Sequence, residues 1–442
     1  MKFGAHLSIA DGLLKTVKST REIGANCLQI FSSPPRNWKS PKFTKKEIKE
    51  FREGMEKENI FPLFIHAKYL VNPGSENREI RKKSIKSLIE DLNLAKSLGA
   101  KGVIFHPRIK NFKIFTKAIC QILEKTPDSV FLILENSAQS KIEEIERIIK
   151  KIKDKRLGFC LDLAHAFEAG YDLRRSQEIE KIFKIIKTKI GFKRWFLIHA
   201  NDSKTDLGSF YDLHADIGNG KIGKIPFFIF LNHPISEKLP FIIETPGFRE
   251  EGLRADKRNL KALKKLAGKR LDRSFFERKT SQVAKELLGK YLILKRGQKM
   301  QIAKILETEA YVGPKDKASH AFSGKTKRNE IMWDSPGKLY VFLIYGMHHC
   351  LNVVTEREGF PAAVLIRKAE PVFGIEDKID GPAKICKAFK ITKKYNGIDI
   401  TKSDEIFIKD IGERPKKIIS APRIGVDYAR EWAKKKLRFY IK

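Results

Sequence analysis

Residues 85–106 read IKSLIEDLNLAKSLGAKGVIFH, and this stretch contains a helical pattern followed by a strand pattern. Between Ile85 and Ala95 the apolar residues recur at steps of three and four, which is typical of an amphipathic helix. Gly99 is suited to end that helix. The apolar run Gly102–His106 that follows has the length of a buried strand. The stretch therefore predicts a helix and the next strand of one sheet.

Similar apolar runs recur through the first part of the chain, and helical patterns lie between them. The eight runs are Lys2–Leu7, Cys27–Phe31, Pro62–His66, Gly102–His106, Val130–Glu135, Leu157–Leu163, Trp195–His199 and Pro240–Glu244. Near-continuous apolar strands that alternate with helices are typical of parallel strands covered on both faces. Eight of them predict a closed (β/α)8 TIM barrel of α/β class. An open, doubly wound sheet is the alternative.

The pattern changes after Leu266. The segment Ala267-Gly268-Lys269-Arg270 has the composition of a linker or a helix end, and the later strands, such as Leu339–Ile344, alternate more often. We therefore predict two domains, a TIM barrel over residues 1–268 and a separate mixed α+β domain over residues 269–442.

The chain is strongly basic. It has 89 Lys and Arg against 53 Asp and Glu, which gives a formal net charge of +36. Such an excess attracts polyanions, and we favour nucleic acid over an anionic membrane as the partner. The alternative is that lysine-rich helix faces only keep the protein in solution.

Several classes of protein are excluded by simple patterns. No apolar run approaches the length of about 18 residues that a membrane span requires. The five cysteines are scattered and never form a CxxC pair, which argues against a disulfide framework or a Cys-based zinc site. No secretory signal is visible, so we expect a cytoplasmic protein that is not secreted, associated with the nucleoid if the source is prokaryotic.

Histidines and carboxylates end most of the predicted barrel strands or follow them closely. These residues are His66, His106, Glu135, Asp162, His165, His199, Asp212, His214 and Glu244. In a TIM barrel the C-terminal ends of the strands meet on one face, where active sites form. Any one of these residues could be a structural histidine or a helix cap. Together they predict a cluster of two or three divalent ions, zinc or else Mn²⁺ or Fe²⁺, of the kind that cleaves phosphodiesters.

The first part of the chain resembles endonuclease IV, the metal-dependent apurinic/apyrimidinic (AP) endonuclease family of base excision repair. The matching stretches are Gly4-Ala5-His6, His66-Ala67-Lys68-Tyr69-Leu70, Phe105-His106-Pro107, Leu134-Glu135-Asn136, Asp162–Phe167, Ala169–Asp172, His199–Lys204, Gly218–Gly223 and Glu244-Thr245. All nine positions of the family's metal ligands hold the expected residue type.

The resemblance implies three Zn²⁺ ions. His66 and His106 would hold the first, and Glu135 would bridge it to the second. Asp162, His199 and Glu244 would complete the second site, and His165, Asp212 and His214 would hold the third. Glu135 and Glu244 are also expected to take part in catalysis. Arg36 and Tyr69 occupy the positions of side chains that the family inserts into DNA.

Two stretches depart from the family pattern. Arg108 stands where the family usually has Gly, and the family's Gly-rich segment after strand five is replaced by Ser137-Ala138-Gln139-Ser140. These departures affect the expected DNA contacts and leave the metal ligands intact.

The second domain has aromatic and polar residues that could form a stacking pocket for a DNA base, although an ordinary aromatic sheet face would give the same spacing. It resembles the alkyladenine, or 3-methyladenine, DNA glycosylase family of the mammalian type. The matching stretches are Glu307–Pro314, Lys338–Val341, Ile344–Met347, Gly381–Lys384, Arg423–Val426 and Leu437–Tyr440.

This second resemblance implies a role for each matching residue. Glu309 would be the general base that activates water, and Arg367 would position that water. The base pocket would contain Tyr311, His320, Phe342 and Asn352, and Tyr345 would fill the gap left by the flipped base. Phe342 replaces a Tyr found in some relatives. No metal or other cofactor is expected in this domain.

Together the two resemblances imply a bifunctional base excision repair enzyme. The glycosylase would release alkylated or deaminated purines, such as 3-methyladenine or hypoxanthine, and would leave an intact abasic site. The barrel, an AP endonuclease of the deoxyribonuclease IV type, would then cut 5′ to that site and leave a 3′-hydroxyl. We expect a monomer that acts on damaged double-stranded DNA and binds no membrane. The alternatives are a sugar-isomerase-like barrel and a non-catalytic damage-binding module.

Overall fold

Eight parallel strands close into a barrel in the first part of this computed structural model. Around the barrel they follow the order β1-β10-β7-β6-β5-β4-β3-β2. These strands are β1 (Lys2–Leu7), β2 (Cys27–Phe31), β3 (Leu63–His66), β4 (Gly102–Phe105), β5 (Phe131–Glu135), β6 (Leu157–Asp162), β7 (Trp195–His199) and β10 (Pro240–Ile243). Two short strands, β8 (Asp202–Ser203) and β9 (His214–Ala215), form a separate antiparallel pair.

The structure describes residues 1–34, 37–244, 251–344 and 346–442. It divides into two units, Met1–Leu266 and Ala267–Lys442. The α-helices of the first unit are α1 (Leu13–Glu22), α2 (Lys45–Lys57), α3 (Arg78–Leu98), α4 (Phe112–Glu124), α5 (Ile142–Ile152), α6 (Leu163–Glu168), α7 (Ser176–Ile185), α8 (Lys224–Asn232) and α9 (Leu253–Leu266). A π-helical turn (Ile186–Ile190) and a 3-10 turn (Phe192–Arg194) precede β7.

Helix α3 shows why the predicted pattern folds as it does. The Asn77 side chain accepts hydrogen bonds from the backbone N–H groups of Glu79 and Ile80 and so begins the helix. Gly99 ends it in the left-handed conformation, with φ 75°. Leu88, Leu92 and Ala95 are buried on the inner face. The helix therefore places β4 directly after a defined turn.

The centre of the barrel is filled by one apolar side chain from each of seven strands. These residues are Cys27, Phe64, Ile104, Ile133, Cys160, Leu197 and Ile242. On β1 the facing position is Gly4, where an added Cβ would lie 2.5 Å from the backbone oxygen of Cys27. The closed barrel confirms the predicted fold and rules out the open doubly wound sheet, and the observed strand ends lie within one residue of the predicted ones.

The second unit contains an antiparallel sheet with the strand order β11-β17-β12-β13-β16-β15-β14, and β19 pairs with both β13 and β18. Its strands are β11 (Lys269–Arg270), β12 (Tyr291–Arg296), β13 (Lys299–Tyr311), β14 (Leu339–Ile344), β15 (His348–Val354), β16 (Ala363–Phe373), β17 (Ile406–Asp410), β18 (Ile419–Ala421) and β19 (Arg438–Tyr440). The α-helices are α10 (Arg273–Phe276), α11 (Thr280–Glu286) and α12 (Pro382–Ala388). Short 3-10 turns lie at His320–Ser323, Glu330–Trp333, Lys393–Tyr395 and Asp427–Trp432.

One detail of the predicted linker is wrong. Lys269 and Arg270 form β11, which pairs with Asp410 and Lys409 of β17. Backbone hydrogen bonding to the edge of the sheet therefore makes this segment part of the second unit. None of the helices within the described ranges combines the length and apolar character that a membrane-spanning helix needs.

Candidate functional sites

All nine histidines and carboxylates predicted at the strand ends lie in one cluster at the C-terminal end of the barrel. Parallel strands bring them together because every strand ends on the same face. Their ligand atoms fall into overlapping groups within 4.8 Å: His66, His106 and Glu135; Glu135, Asp162, His199 and Glu244; Asp162, His165 and His214. Asp212 contacts the last group, 3.3 Å from Nε2 of His165 and 3.4 Å from Nε2 of His214.

Glu135 lies at the middle of this cluster and is fully buried. Its Oε2 is 3.4 Å from Nε2 of His66 and 3.7 Å from Nε2 of His106. Its Oε1 is 3.0 Å from Nδ1 of His199 and 3.2 Å from Nδ1 of His165. One carboxylate therefore joins imidazoles from four separate segments of the barrel.

Three histidine rings of the cluster are each fixed by a hydrogen bond between Nδ1 and a backbone oxygen. Nδ1 of His66, His165 and His214 lies 2.7–3.0 Å from the backbone oxygens of Ala67, Asn136 and Glu244. Since a carbonyl only accepts, these nitrogens donate and the Nε2 lone pairs are left to the cluster. His199 is turned the other way, because its Nε2 is 2.7 Å from Oε1 of Gln29.

Burial and the types of donor atom in the cluster suit metal ligation. Burial lowers the pKa of His106 to about 4, so its ring is neutral at pH 7. Burial alone would raise the pKa of Glu135, but the charge of His199 and the hydrogen bond from His165 hold that pKa well below the usual range. Oε2 of Glu135 and Nε2 of both His165 and His214 are buried without a hydrogen bond to any described residue. These donor atoms fit divalent ions of the zinc, manganese or iron(II) type.

In the second unit, the candidate residues line up across the sheet. Glu309 of β13 pairs with Leu365 of β16, which pairs with Asn352 of β15, which in turn pairs with Tyr340 of β14. Side chains of directly paired antiparallel residues lie on the same face. Tyr311, Arg367 and Phe342 are two residues along their strands from members of this row and share its face. The opposite face covers the main apolar core of the unit.

Glu309 is fully buried and held from three sides. The backbone N–H of Ile424 donates to its Oε1 at 3.0 Å, and the hydroxyl of Tyr311 donates to its Oε2 at 3.1 Å. Nη1 of Arg367 lies 3.5 Å from Oε1. Burial raises the pKa of Glu309, and Arg367 opposes that rise without cancelling it. The carboxyl therefore titrates above the usual range of Glu.

Aromatic rings surround the other end of this row. The rings of His320 and Phe342 have centroids 4.5 Å apart at an edge-to-face angle of 75°. Nδ1 of His320 lies 2.8 Å from the hydroxyl of Tyr340, and Asn352 donates to the backbone oxygen of Tyr340 at 3.0 Å. Burial lowers the pKa of His320, so its ring is neutral at pH 7.

Comparisons with known proteins match each unit separately. Residues 17–266 match the xylose isomerase-like TIM barrel family, and residues 274–442 match methylpurine-DNA glycosylase. A probable endonuclease 4 of Halothermothrix orenii is 38% identical over 263 residues, which cover 56% of this chain and 94% of the relative. A putative 3-methyladenine DNA glycosylase of Methanocella arvoryzae is 47% identical over 185 residues, which cover 39% of this chain and 92% of the relative. The chain belongs to the endonuclease IV family and to the methylpurine-DNA glycosylase family.

The crystal structure of endonuclease IV from Thermus thermophilus agrees with this assignment. It is 32% identical, has a TM-score of 0.55, and covers 60% of this chain and 99% of its own. The resemblance inferred from the sequence is thus confirmed for both halves. The endonuclease relatives favour an AP endonuclease over the alternative of a sugar-isomerase-like barrel.

The endonuclease IV unit also contains polar residues that the sequence analysis did not select. Gln29, buried within β2, donates to Oε1 of Glu244 at 2.6 Å in addition to its contact with His199. Nδ1 of His6 lies 2.9 Å from the same carboxylate oxygen. Asn201 donates to Asp162 at 2.6 Å and accepts from the backbone of Glu244. An amide inside an otherwise apolar strand was the available signal for Gln29.

The glycosylase unit contains a buried ion pair that sequence reasoning also missed. Arg423 donates through two nitrogens to Asp316 at 2.6 and 2.7 Å, and neither side chain is exposed to solvent. Arg423 also donates to the backbone oxygen of Ala310, and its guanidinium lies 4.8 Å from the ring centroid of Tyr311. The pair therefore joins the strand of Glu309 to the segment that carries Ile424.

The structure describes one of the three residues predicted to enter DNA. Arg36 and Tyr345 lie outside the described residues. Tyr69 is 46% exposed and packs edge-on against Phe31, with ring centroids 5.4 Å apart. It lines a cavity together with His106, His165 and Asp212. Its predicted role in DNA insertion stays a prediction.

Proposed function

We propose that this chain performs two consecutive steps of base excision repair. The glycosylase domain releases a damaged purine, and the endonuclease IV domain cuts the backbone at the resulting abasic site. The observation that carries the proposal is the convergence of nine ligand-type residues, with Glu135 at their middle, in a chain that also buries Glu309 beside Arg367. We place the boundary between the two functional parts at residues 268 and 269.

The barrel cluster is proposed to hold three Zn²⁺ ions, with Mn²⁺ or Fe²⁺ as alternatives. His66, His106 and Glu135 would hold the first, and Glu135, Asp162, His199 and Glu244 the second. His165, Asp212 and His214 would hold the third. When bound, such ions activate water and stabilise the charge on both the attacking and the leaving oxygen of a phosphodiester.

The residues of the chain prepare this site. Backbone carbonyls keep His66, His165 and His214 in one tautomer, and Gln29 does the same for His199. Glu135 and Glu244 remain ionised because the neighbouring imidazoles hold their pKa values well below the usual range against the effect of burial. Cleavage would occur on the 5′ side of the abasic site and leave a 3′-hydroxyl.

In the second domain, Glu309 is proposed to accept a proton from water as the water oxygen attacks C1′ of the damaged nucleotide. The C1′–N bond breaks, the purine leaves with the bonding electrons, and the sugar keeps a hydroxyl at C1′. Arg367 would position the water, and Tyr311, His320, Phe342 and Asn352 would hold the flipped base. The purines proposed as substrates are alkylated or deaminated, of the 3-methyladenine and hypoxanthine type.

Joining the two activities in one chain raises the effective concentration of the endonuclease near the glycosylase product. The net charge of +36 favours DNA as the partner of both domains. Lys325, Lys327 and Arg328, which are exposed near the proposed base pocket, are candidate phosphate contacts. We propose that the protein acts on double-stranded DNA as a monomer.

A denaturing gel tests both steps at once. The protein is incubated, without alkali, with an end-labelled duplex that carries one hypoxanthine, and in parallel with a duplex that carries a ready-made abasic site. Strand breaks in both lanes are expected. Cleavage of only the abasic duplex, with no alkali-labile site in the hypoxanthine duplex, would contradict the proposed glycosylase for this lesion.

The same gel separates the alternatives. Alkali-labile sites without direct breaks would contradict the endonuclease activity, and turnover of free sugars instead of abasic DNA would favour the isomerase interpretation. Retention of hypoxanthine DNA without base release would favour a non-catalytic damage-binding module.

A further inference from the structure

A cavity of about 930 Å³ opens beside the proposed metal centre. One end is lined by His106, His165 and Asp212, which belong to the cluster. The rest is formed mainly by the loop after β4, which carries Arg108 and Lys110, and by the segment after β5. These are the two stretches in which the sequence departs from the endonuclease IV pattern. The cavity is therefore continuous with the proposed centre.

The charge of this lining is unbalanced. Arg108 and Lys110 are exposed, and their charged groups form no hydrogen bond or ion pair with any residue that the structure describes. Lys141, in the same lining, is already engaged, because its Nζ donates to the backbone of Ala169 and lies 4.8 Å from the ring centroid of Tyr171. Apart from Asp212 of the metal cluster, Glu144 supplies the one carboxylate among the described residues that line the cavity. Two cations are thus available to a ligand.

Local contacts fix the backbone on both sides of this cavity. An added Cβ at Gly74 would lie 2.8 Å from the backbone oxygen of Arg108, so only glycine allows the two loops to pack this closely. On the other wall, the hydroxyls of Ser137 and Ser140 are 2.9 Å apart, and Ser140 N–H donates to the backbone oxygen of Ser137. Both walls are consequently held by local backbone contacts.

We propose that this cavity binds a backbone phosphate of the DNA next to the one that is cleaved, through Arg108 and Lys110. The inference rests on the proposed endonuclease function and adds a binding subsite to it. A guanidinium donates two parallel hydrogen bonds to phosphate oxygens, and an ammonium adds a point charge. DNA bound at the metal cluster has to extend beyond it, and this cavity opens beside the cluster with two unpaired cations in its described lining.

The endonuclease IV pattern suggests which substitution to make at Arg108. Arg108→Gly introduces the residue that the endonuclease IV pattern usually has, and Lys110→Ala removes the second charge. The matched control is Lys83→Ala, which removes an exposed lysine from the outer helix α3. The substrate is a duplex with a stable abasic analogue, so the glycosylase step is bypassed. kcat and KM for incision are measured at several salt concentrations.

We expect the double variant to raise KM about ten-fold, with kcat within two-fold of the original, since neither residue is among the proposed metal ligands. Each lost phosphate contact should reduce the slope of log kcat/KM against log salt by about 0.9. Lys83→Ala should change neither quantity. An unchanged slope and KM in the double variant, alongside normal incision by the original chain, would overturn the subsite without affecting the proposed function.

A second experiment locates the phosphate. Each phosphate flanking the abasic analogue is replaced in turn by an uncharged methylphosphonate. One replacement should lower kcat/KM of the original chain about ten-fold and have little further effect on the double variant, because the contact is already lost. Full additivity at every position would overturn the proposal. An effect that instead follows the identity of the neighbouring base would show that the cavity binds a base. No incision by the original chain would contradict the proposed function itself.

Discussion

The two proposed sites assemble functional residues in opposite ways. In the barrel, most of the parallel strands end at or just before a ligand-type residue, and the site forms where those ends meet. In the second unit, antiparallel strands deliver a row of directly paired residues, from Glu309 through Leu365 and Asn352 to Tyr340. Strand ends can therefore be recognised in a sequence, whereas a row across a sheet depends on strand register.

The two sites also shift the pKa of a buried glutamate in opposite directions. Glu135 and Glu309 are both fully buried. Imidazoles around Glu135 outweigh the effect of burial and lower its pKa, whereas Arg367 beside Glu309 only reduces a rise in pKa caused by burial. A lowered pKa suits a ligand that must stay ionised, and a raised pKa suits a group that accepts a proton.

The largest expected difference between the sites is their response to metal removal. Dialysis against a strong chelator should abolish incision of abasic DNA and leave base release intact, because the proposed base pocket uses no metal ligand. Metal content is measured on the same samples, and incision is tested again after Zn²⁺ is restored. Loss of base release upon chelation would contradict this separation.

Glu309→Gln tests the other site. Base release should fall by about 10²- to 10⁴-fold, since the amide cannot take up the proton of the attacking water. Incision of a ready-made abasic duplex serves as the control and should be unchanged. Base release at the original rate would refute the assignment of Glu309 as the general base.

Arg423→Met should destabilise the glycosylase domain by about 3–5 kcal/mol, because it leaves the carboxylate of Asp316 buried without its partner. Thermal unfolding checks the change, and Arg423→Met combined with Asp316→Asn should recover part of the loss. Equal thermal stability of Arg423→Met and the original protein would mean that the Arg423–Asp316 ion pair does not stabilise the segments that carry Tyr311 and Ile424.

Gln29→Leu should weaken metal binding in the barrel by about 10- to 100-fold, since such partners orient the ligands. Gln29 lies between His199 and Glu244, and leucine has a similar volume without the two hydrogen bonds. Competition with a chromogenic chelator measures the affinity. Gln121→Leu, on the exposed side of α4, is the matched control and should have no effect.

The smallest effect concerns pH. Base release requires ionised Glu309, so its rate should rise with pH through a pKa above the usual range of Glu. Arg367→Met removes the nearest positive charge, so the pKa of Glu309 should rise further and the increase in rate should move to higher pH. The groups that still face the carboxyl in this variant are Arg423, Tyr311, Cys350 and the Ile424 N–H. Arg438→Met is the control, since the guanidinium of Arg438 donates to Glu307 and, among the described residues, forms no ion pair with Glu309. A shift of the pH–rate profile of Arg367→Met to lower pH would contradict the expected direction of the pKa change.

Much of the proposed metal centre was predictable because it depends on local patterns. Each apolar run identifies a strand, and each histidine or carboxylate that follows it is placed by the topology of a parallel barrel. His66, His106 and Glu135 were selected in this way and lie together in the structure. His6 and Gln29 were not selected, because they lie within β1 and β2, whereas the selection depended on residues at or just after strand ends.

The glycosylase pocket was less accessible to such reasoning. Arg423 and Asp316 are 107 residues apart, and neither has a motif of its own that signals a buried pair. The resemblance supplied Glu309, Tyr311 and Arg367, while the spacing alone favoured an ordinary aromatic sheet face. Register across β13, β16, β15 and β14 then placed these residues on one face.

The two-part architecture, the closed barrel and the residue types of the metal cluster could be predicted from the amino-acid sequence, because hydrophobic periodicity and strand ends are local properties. The folded structure was needed to show which atoms meet at Glu135, which partners fix each histidine ring, and in which direction the pKa of each buried carboxyl moves. These outcomes depend on distances between segments far apart in the chain and on the water excluded when they pack, and neither quantity is encoded at a single position.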